Sequence, residues 1–310
     1  MNGPPSCCCT AGLGASTTPY FKPDFARLSQ AAQVVYLDLR GHGRSEWGDP
    51  ASWGFEMCAD DVRDFCDTLG IARPVVYGHS LGGFVALVYA ARHPGHAGAL
   101  VLQSTFARFD LRRIVEEFRR AGGDEVAAIA ERVYGGDSLS VTPEEWARCW
   151  RLFGLWVPGE QEKARTVVNR ELNAPGLELM RTFDVLDQLA RIDCPTLVCV
   201  GELDPVTPVA AAREIANALP EGSARLEVVE GAGHFTWRDA PDRYWPSRHG
   251  FRDDHDAHET ISARLLTRPL LRSSRASAQQ RPRRRRQPQL LGDSRQTRQQ
   301  LRQHLLVPPR

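Results

Sequence analysis

Ser80 stands in Gly78-His79-Ser80-Leu81-Gly82, and its neighbours are those a nucleophilic hydroxyl needs. Val75-Val76-Tyr77 before it has the composition of a buried strand, and Leu81 to His93 after it reads as a helix. A chain that passes from strand to helix through one serine must turn very sharply. Glycines two residues to either side make room for that turn. The hydroxyl is then lifted clear of the sheet, and the Leu81 amide is aimed at the same spot from the positive end of the helix. A bare G-x-S-x-G also fits a simple glycine-rich strand end; the strand before it and the helix after it select the nucleophile. Serine alone is a poor nucleophile, so a base and an acid must follow. Asp204 follows the strand-like run Thr196 to Val200, and His234 follows Leu226 to Glu230. Each lies just past the C-terminal end of a strand, where open parallel sheets place their chemistry. Taken singly, Asp204 fits a turn before proline and His234 a loop histidine. Three strand ends in the order Ser, Asp, His point to acyl transfer.

The elements that must hold these residues alternate. Strands are expected at Val34 to Asp38, Val75 to Tyr77, Ala99 to Gln103, Cys194 to Val200 and Leu226 to Glu230. Helices are expected at Phe25 to Ala32, Met57 to Leu69, Leu81 to His93 and Val209 to Leu219, with Cys58, Val62, Phe65, Cys66 and Leu69 on one face of the second. This is an α/β pattern. Between Gln103 and Cys194 the alternation stops. Leu111 to Arg120, Asp124 to Val133, Pro143 to Phe153, Gln161 to Leu172 and Gly176 to Leu189 all read as helices. Trp146, Trp150, Phe153 and Trp156 recur along this stretch. At least two of the four are expected in the segment's own core. Trp150 and Trp156 are candidates for an aromatic lining around a small apolar substrate group. Asp239 to Pro246 should open a closing helix.

Four stretches together resemble the α/β-hydrolase superfamily, and in particular its proline iminopeptidase-like branch. They are Val35-Tyr-Leu-Asp-Leu-Arg-Gly-His-Gly-Arg-Ser45, the Gly-His-Ser-Leu-Gly-Gly turn, Gly-Glu-Leu-Asp-Pro and Gly-Ala-Gly-His. The resemblance covers roughly residues 20 to 246. It implies a mostly parallel sheet flanked by helices, with an inserted helical cap at 104–190 between core segments 20–103 and 191–246. It also implies a triad of Ser80, Asp204 and His234, an oxyanion hole using the Leu81 amide, and no metal or organic cofactor. The substrate would be a small molecule or short peptide. In iminopeptidases a cap carboxylate receives the substrate's free α-amine; Glu171 is the candidate here, although a solvated helix face is the commoner reason for such a residue. His42 and His79 read as structural. Serine rather than aspartate at the turn disfavours dehalogenase or epoxide-hydrolase chemistry. The leading expectation is an aminopeptidase releasing N-terminal proline. The alternatives are a carboxylesterase or lactonase, or a weakly active or non-catalytic protein of this fold.

That last alternative comes from the N-terminus. The resembled family places three strands there and ends the third in His-Gly-Gly-Pro-Gly, whose loop supplies an oxyanion amide. Residues 1–19 contain no convincing strand or helix, and Cys7 to Gly14 stand where the motif belongs. Under GC-rich codons, the bases for Cys7 to Gly14 read one base earlier translate as Leu-Leu-Leu-His-Gly-Gly-Pro-Gly. A frameshift restored by Tyr20 is therefore expected, with the N-terminal strands missing or scrambled. The amides of Gly12 and Leu13 are candidates to replace the lost donor.

The near-neutral net charge of +1 hides an asymmetry. From Ser247 onward there are 15 arginines against five acidic residues, whereas the preceding chain holds 24 basic and 33 acidic residues. The acidic body argues against a nucleic-acid role for the folded part, and the polar 247–310 tail is expected to be disordered. Cys58, Cys66, Cys149, Cys194 and Cys199 lie scattered in apolar contexts with no metal-ligand spacing, as buried thiols would. No signal peptide or bilayer-length apolar run is evident, so a cytoplasmic location and no membrane partner are expected.

Overall fold

Apolar runs of five or six residues are too short to bury themselves and must pair side by side. In the computed structural model, which describes residues 6–11, 17–30, 32–154 and 159–245, they form one parallel sheet. Its strands are β1 (Ser6–Ala11), β2 (Gln33–Tyr36), β3 (Val75–His79), β4 (Ala99–Gln103), β5 (Thr196–Gly201) and β6 (Ala224–Val229), in the order β2-β1-β3-β4-β5-β6. β3, β4 and β5 are buried at every position, as strands covered on both faces must be. Their side chains divide with period two. Val76, Leu100, Leu102, Val198 and Val200 join one core cluster. Val75, Tyr77, Ala99, Val101, Leu197 and Cys199 join the other.

The first face is covered by α2 (Phe55–Leu69), α3 (Leu81–Arg92) and the later α9 (Val209–Ala218); α1 (Thr17–Phe25) contributes Phe21 and Phe25 to the second. α3 is buried from Leu81 to Ala91, because it sits directly on the middle of the sheet. Between β4 and β5 lie α4 (Leu111–Gly122), α5 (Asp124–Gly135), α6 (Pro143–Trp150), α7 (Glu160–Arg165) and α8 (Asn173–Arg181). Two one-turn helices, α10 (Thr236–Asp239) and α11 (Pro241–Tyr244), follow β6. The five named cysteines are free and buried.

The N-terminal expectation needs correcting. Ser6–Ala11 is a strand in the interior of the sheet, with Cys7, Cys8 and Cys9 in parallel register with Val34, Val35 and Tyr36 on one side and Val75, Val76 and Tyr77 on the other. The strand is thus paired along both sides. Thr17–Phe25 is likewise helical. Gly12, Leu13, Trp156 and the arginine-rich tail lie outside the described residues.

Helix boundaries also moved. The helix expected over Gln161 to Leu172 ends at Arg165, since Thr166, Val167 and Val168 are β-branched, and Asn169 then caps a separate turn at Arg170–Leu172. The one expected over Gly176 to Leu189 stops at Arg181; Phe183 then accepts a bond from the Phe109 amide, and a 3₁₀ turn follows at Leu186–Arg191. Pro241 divides the closing helix in two. No described helix is long and apolar enough to cross a membrane.

The loops after β5 and β6 are laced together: Glu202 N donates to Val229 O at 3.0 Å, Leu203 N to Ala232 O at 2.8 Å, and Gly231 N to the Glu202 carboxylate at 2.9 Å. A Cβ on Gly201 would sit 2.1 Å from the Gly233 carbonyl oxygen and 2.4 Å from that of Ala232. Both obstacles are backbone. Gly201→Ala is therefore expected to lower stability by about 2–4 kcal/mol in urea denaturation; an unchanged midpoint would mean that the loops are not in contact.

Candidate active site

Ser80 joins β3 to α3 with φ 54° and ψ −121°, a region that non-glycine residues rarely occupy. Its amide donates to Gln103 O at 2.9 Å, and its carbonyl accepts from Gly83 N at 2.8 Å and from the Thr105 hydroxyl at 3.0 Å. The glycines are required by contact. A Cβ on Gly78 would lie 2.4 Å from Gly82 O, and one on Gly83 2.5 Å from the Thr105 side chain. The Ser80 side chain makes no helix-capping bond, which leaves the half-buried hydroxyl uncommitted to the backbone. Leu81 is the first residue of α3, where an amide has no intrahelical acceptor. β1 runs alongside, with Ala11 in register with His79.

The laced loops bring Asp204 and His234 together. His234 Nδ1 lies 2.8 Å from Asp204 Oδ2, with both side chains almost fully buried. Asp204 Oδ1 accepts from the amides of Val206 and Thr207 at 3.0 Å each, and Oδ2 accepts also from the Thr207 hydroxyl at 2.5 Å. Burial alone would raise the Asp204 carboxyl; the neighbouring His234 and the hydrogen bonds from His234 and Thr207 hold it below the usual range instead. It stays an anion, able to orient His234 through Nδ1 and leave Nε2 as the basic nitrogen.

His79 links this pair to the turn. It precedes Ser80, its ring centroid lies 4.8 Å from that of His234, and its Nε2–H donates to His234 O at 3.1 Å. Full burial, reinforced by the nearby His234, holds the His79 imidazole well below its ordinary value. Burial also lowers His42, whose Nδ1–H donates to Arg40 O at 2.8 Å. Both behave as the packed residues expected from sequence.

The insertion between β4 and β5 reaches the site through aromatics. Phe153 O accepts the His234 amide, and the Phe153 ring meets the His234 ring edge-on at 5.5 Å and 80°. Trp150 stacks on Phe153 at 4.8 Å and lies 6.0 Å from Phe235, which also touches His234. Trp150 is thus brought to the second layer around the histidine. Glu171 is not: it is exposed, and its side chain makes no hydrogen bond or ion pair among the described residues. The residue nearby that is bonded is Asn169, fully buried, which donates to Gly41 O at 2.9 Å and ties the insertion to the loop after β2. Sequence reading missed the contacts of Thr105, Phe153, Asn169 and Thr207. Only Thr207 left a signal, standing three residues after the acid in a proline-bounded turn.

A parallel sheet carrying a serine turn after β3, an aspartate after β5 and a histidine after β6 defines a hydrolase scaffold. The chain belongs to the α/β-hydrolase fold family, whose model matches residues 7–241. Among its relatives is the provisionally named carbamate hydrolase RutD of Pseudomonas savastanoi pv. phaseolicola, 30% identical over 234 residues, 73% of this chain and 85% of the relative. Among solved structures, the enol-lactonase from Burkholderia xenovorans is 26% identical with a TM-score of 0.56, over 78% of this chain and 88% of that one. The proline iminopeptidase of Mycobacterium smegmatis is 20% identical with a TM-score of 0.59, over 77% and 86%, a likeness of fold alone.

The two buried histidines are expected to weaken the fold in acid. Their folded-state affinity for protons is depressed, so the unfolded chain binds protons first as pH falls below about 6.5. Unfolding is then favoured on acidification, by up to about 1.4 kcal/mol per pH unit for each histidine. Urea midpoints should fall between about pH 7.5 and about pH 5.5, and His79→Gln should show a smaller fall than the parent chain. Equal falls in both would mean that His79 is protonated in the folded protein.

Proposed function

We propose that this chain is a serine hydrolase in which Ser80 attacks a carbonyl carbon, His234 takes and returns the proton, and Asp204 orients and stabilises the imidazolium. The observation that carries this reading is the buried Asp204–His234 bond of 2.8 Å beside the turn that presents Ser80. In the first half-reaction, Ser80 Oγ bonds to the carbonyl carbon as its proton passes to His234 Nε2. The oxyanion is held by the Leu81 amide at the positive end of α3. The intermediate collapses, the leaving group departs with the proton from His234, and an acyl-serine remains. Water, deprotonated by His234, releases the acyl group and restores Ser80.

The substrate is a small ester, lactone or carbamate. A provisional carbamate-hydrolase name among the relatives and an enol-lactonase among the structures favour this class. A prolyl peptide has less support. Its amine would need a carboxylate from the insertion, and Glu171 faces solvent without contact to the triad. Phe153, Trp150 and Phe235 supply an apolar wall that excludes water beside His234, which strengthens the bond to Asp204. Residues 104–190, roofing the site as a cap, would carry the Phe153 and Trp150 part of that wall.

Two measurements test the reading. A panel of short-chain esters, lactones, a carbamate and prolyl naphthylamide should show turnover in the first three classes, abolished by Ser80→Ala. Asp204→Asn should lower kcat about ten-thousand-fold while KM changes little. Undiminished turnover in Ser80→Ala would move the nucleophile elsewhere. In the second, Cys7 to Gly14 is exchanged for Leu-Leu-Leu-His-Gly-Gly-Pro-Gly. The exchange should raise turnover per folded molecule by up to ~100-fold through a restored oxyanion donor. Equal turnover would show that the native segment already supplies that donor.

A further inference from the structure

Thr207 holds a position that the triad chemistry does not account for. The residue is 1% exposed, and its hydroxyl lies 2.5 Å from Asp204 Oδ2 and 3.5 Å from His234 Nδ1. An ionised carboxylate only accepts, so the hydroxyl must spend its single proton on Oδ2. That oxygen then serves two donors, Thr207 Oγ1–H and His234 Nδ1–H, while Oδ1 is filled by the amides of Val206 and Thr207. All four bonds converge on one carboxylate in a buried site, where each donor withdraws charge from the others.

We infer that Thr207 is a positioning residue that divides the charge of Asp204 Oδ2 with His234 and thereby sets how strongly the imidazole holds its proton. The inference rests on the triad reading for its catalytic consequence, but the division of charge stands on the hydrogen-bond geometry alone. With the hydroxyl present, part of the carboxylate's charge is neutralised before it reaches His234. The imidazolium is less stabilised, so His234 Nε2 stays free to accept a proton at lower pH. With the hydroxyl removed, the full charge of Oδ2 falls on the Nδ1–H bond. The imidazolium is favoured, and His234 remains protonated to higher pH.

Other charges around His234 are the same with or without that hydroxyl. From β3, buried His79 is neutral, its affinity for protons depressed by burial. From α10, Asp239 accepts the Gly233 amide at 2.9 Å, and Arg238 pairs with Asp24 at 2.6 Å. From α5, the Tyr134 hydroxyl is neutral, burial having raised it well above its ordinary value. From the turn after α6 comes only the Phe153 ring. A difference between variants at Thr207 alone therefore reads the hydroxyl.

The test is a titration of the full chain with ¹⁵N-labelled histidine, the His234 signals being identified by their loss in His234→Gln. T207V, which keeps the shape and removes the donor, should raise the His234 midpoint by roughly 0.5–1 pH unit. Thr207→Ser should restore the parent value. The pH dependence of labelling by a fluorophosphonate should move by the same amount. An unmoved or lowered midpoint in T207V would overturn the proposal, whatever its overall rate. A raised midpoint with no labelling in any of the proteins would sink the triad reading and leave the charge division standing. If T207V fails to fold, Thr207→Cys, with its weaker S–H donor, must raise the midpoint in the same direction; a midpoint equal to that of Thr207→Ser would overturn the proposal instead.

Discussion

The turn at Ser80 forces a residue with a side chain to hold φ 54° and ψ −121°. Such a conformation costs on the order of 1–3 kcal/mol and persists only when its surroundings leave no alternative. Here they leave none. The Ser80 amide is fixed to the end of β4, its carbonyl is held by Gly83 and Thr105, and α3 starts at once with its face buried on the sheet. Gly78 and Gly83 are consequences of the same crowding, since backbone or Thr105 occupies the space their side chains would need. The turn puts Ser80 at the C-terminal end of the interior strand β3, with the Leu81 amide beside it. No flexible loop could hold both so firmly.

Asp204 and His234 depend on a second constraint, the contact between the loops after β5 and β6. Gly201 lets the two loop backbones approach until Asp204 and His234 are bonded, and Gly233 lets the backbone of Phe153 and Gly154 come against the second loop. Phe153 then closes over the loop from the insertion, taking the His234 amide and packing a ring against its imidazole. A buried carboxylate would ordinarily be neutral. Four hydrogen-bond donors on Asp204 offset the desolvation and keep it charged. Burial and satisfaction thus act together: Asp204 is withdrawn from solvent, and both of its oxygens are paired.

The parts of this arrangement that follow from local backbone demands were legible in the sequence. Gly78, Ser80 and Gly82 announce a sharp strand-to-helix turn, and the runs before Asp204 and His234 announce strand ends. What depended on distant partners was not. Cys7, Cys8 and Cys9 show no run of Val, Ile or Leu to mark a strand, and they become β1 between β2 and β3. Phe153 looked like one more core aromatic in a helical stretch, because its partner lies in a loop after the last strand. Glu171 was a candidate amine receptor only through the iminopeptidase resemblance, because a carboxylate on a helical pattern gives no sign of which way it faces; in the structure it is exposed. The helix expected through Val167 and Val168 failed for a reason visible beforehand, a β-branched run that favours extended backbone.

The activation of Ser80 by His234 and Asp204 is tested most directly by locating a covalent adduct. The folded chain is treated with a fluorophosphonate, digested, and its peptides are sequenced by tandem mass spectrometry. The triad requires a single adduct on Ser80, formed far more slowly in His234→Ala and absent after unfolding. An adduct on any other serine, or equal labelling of Ser80 without the histidine, would contradict it.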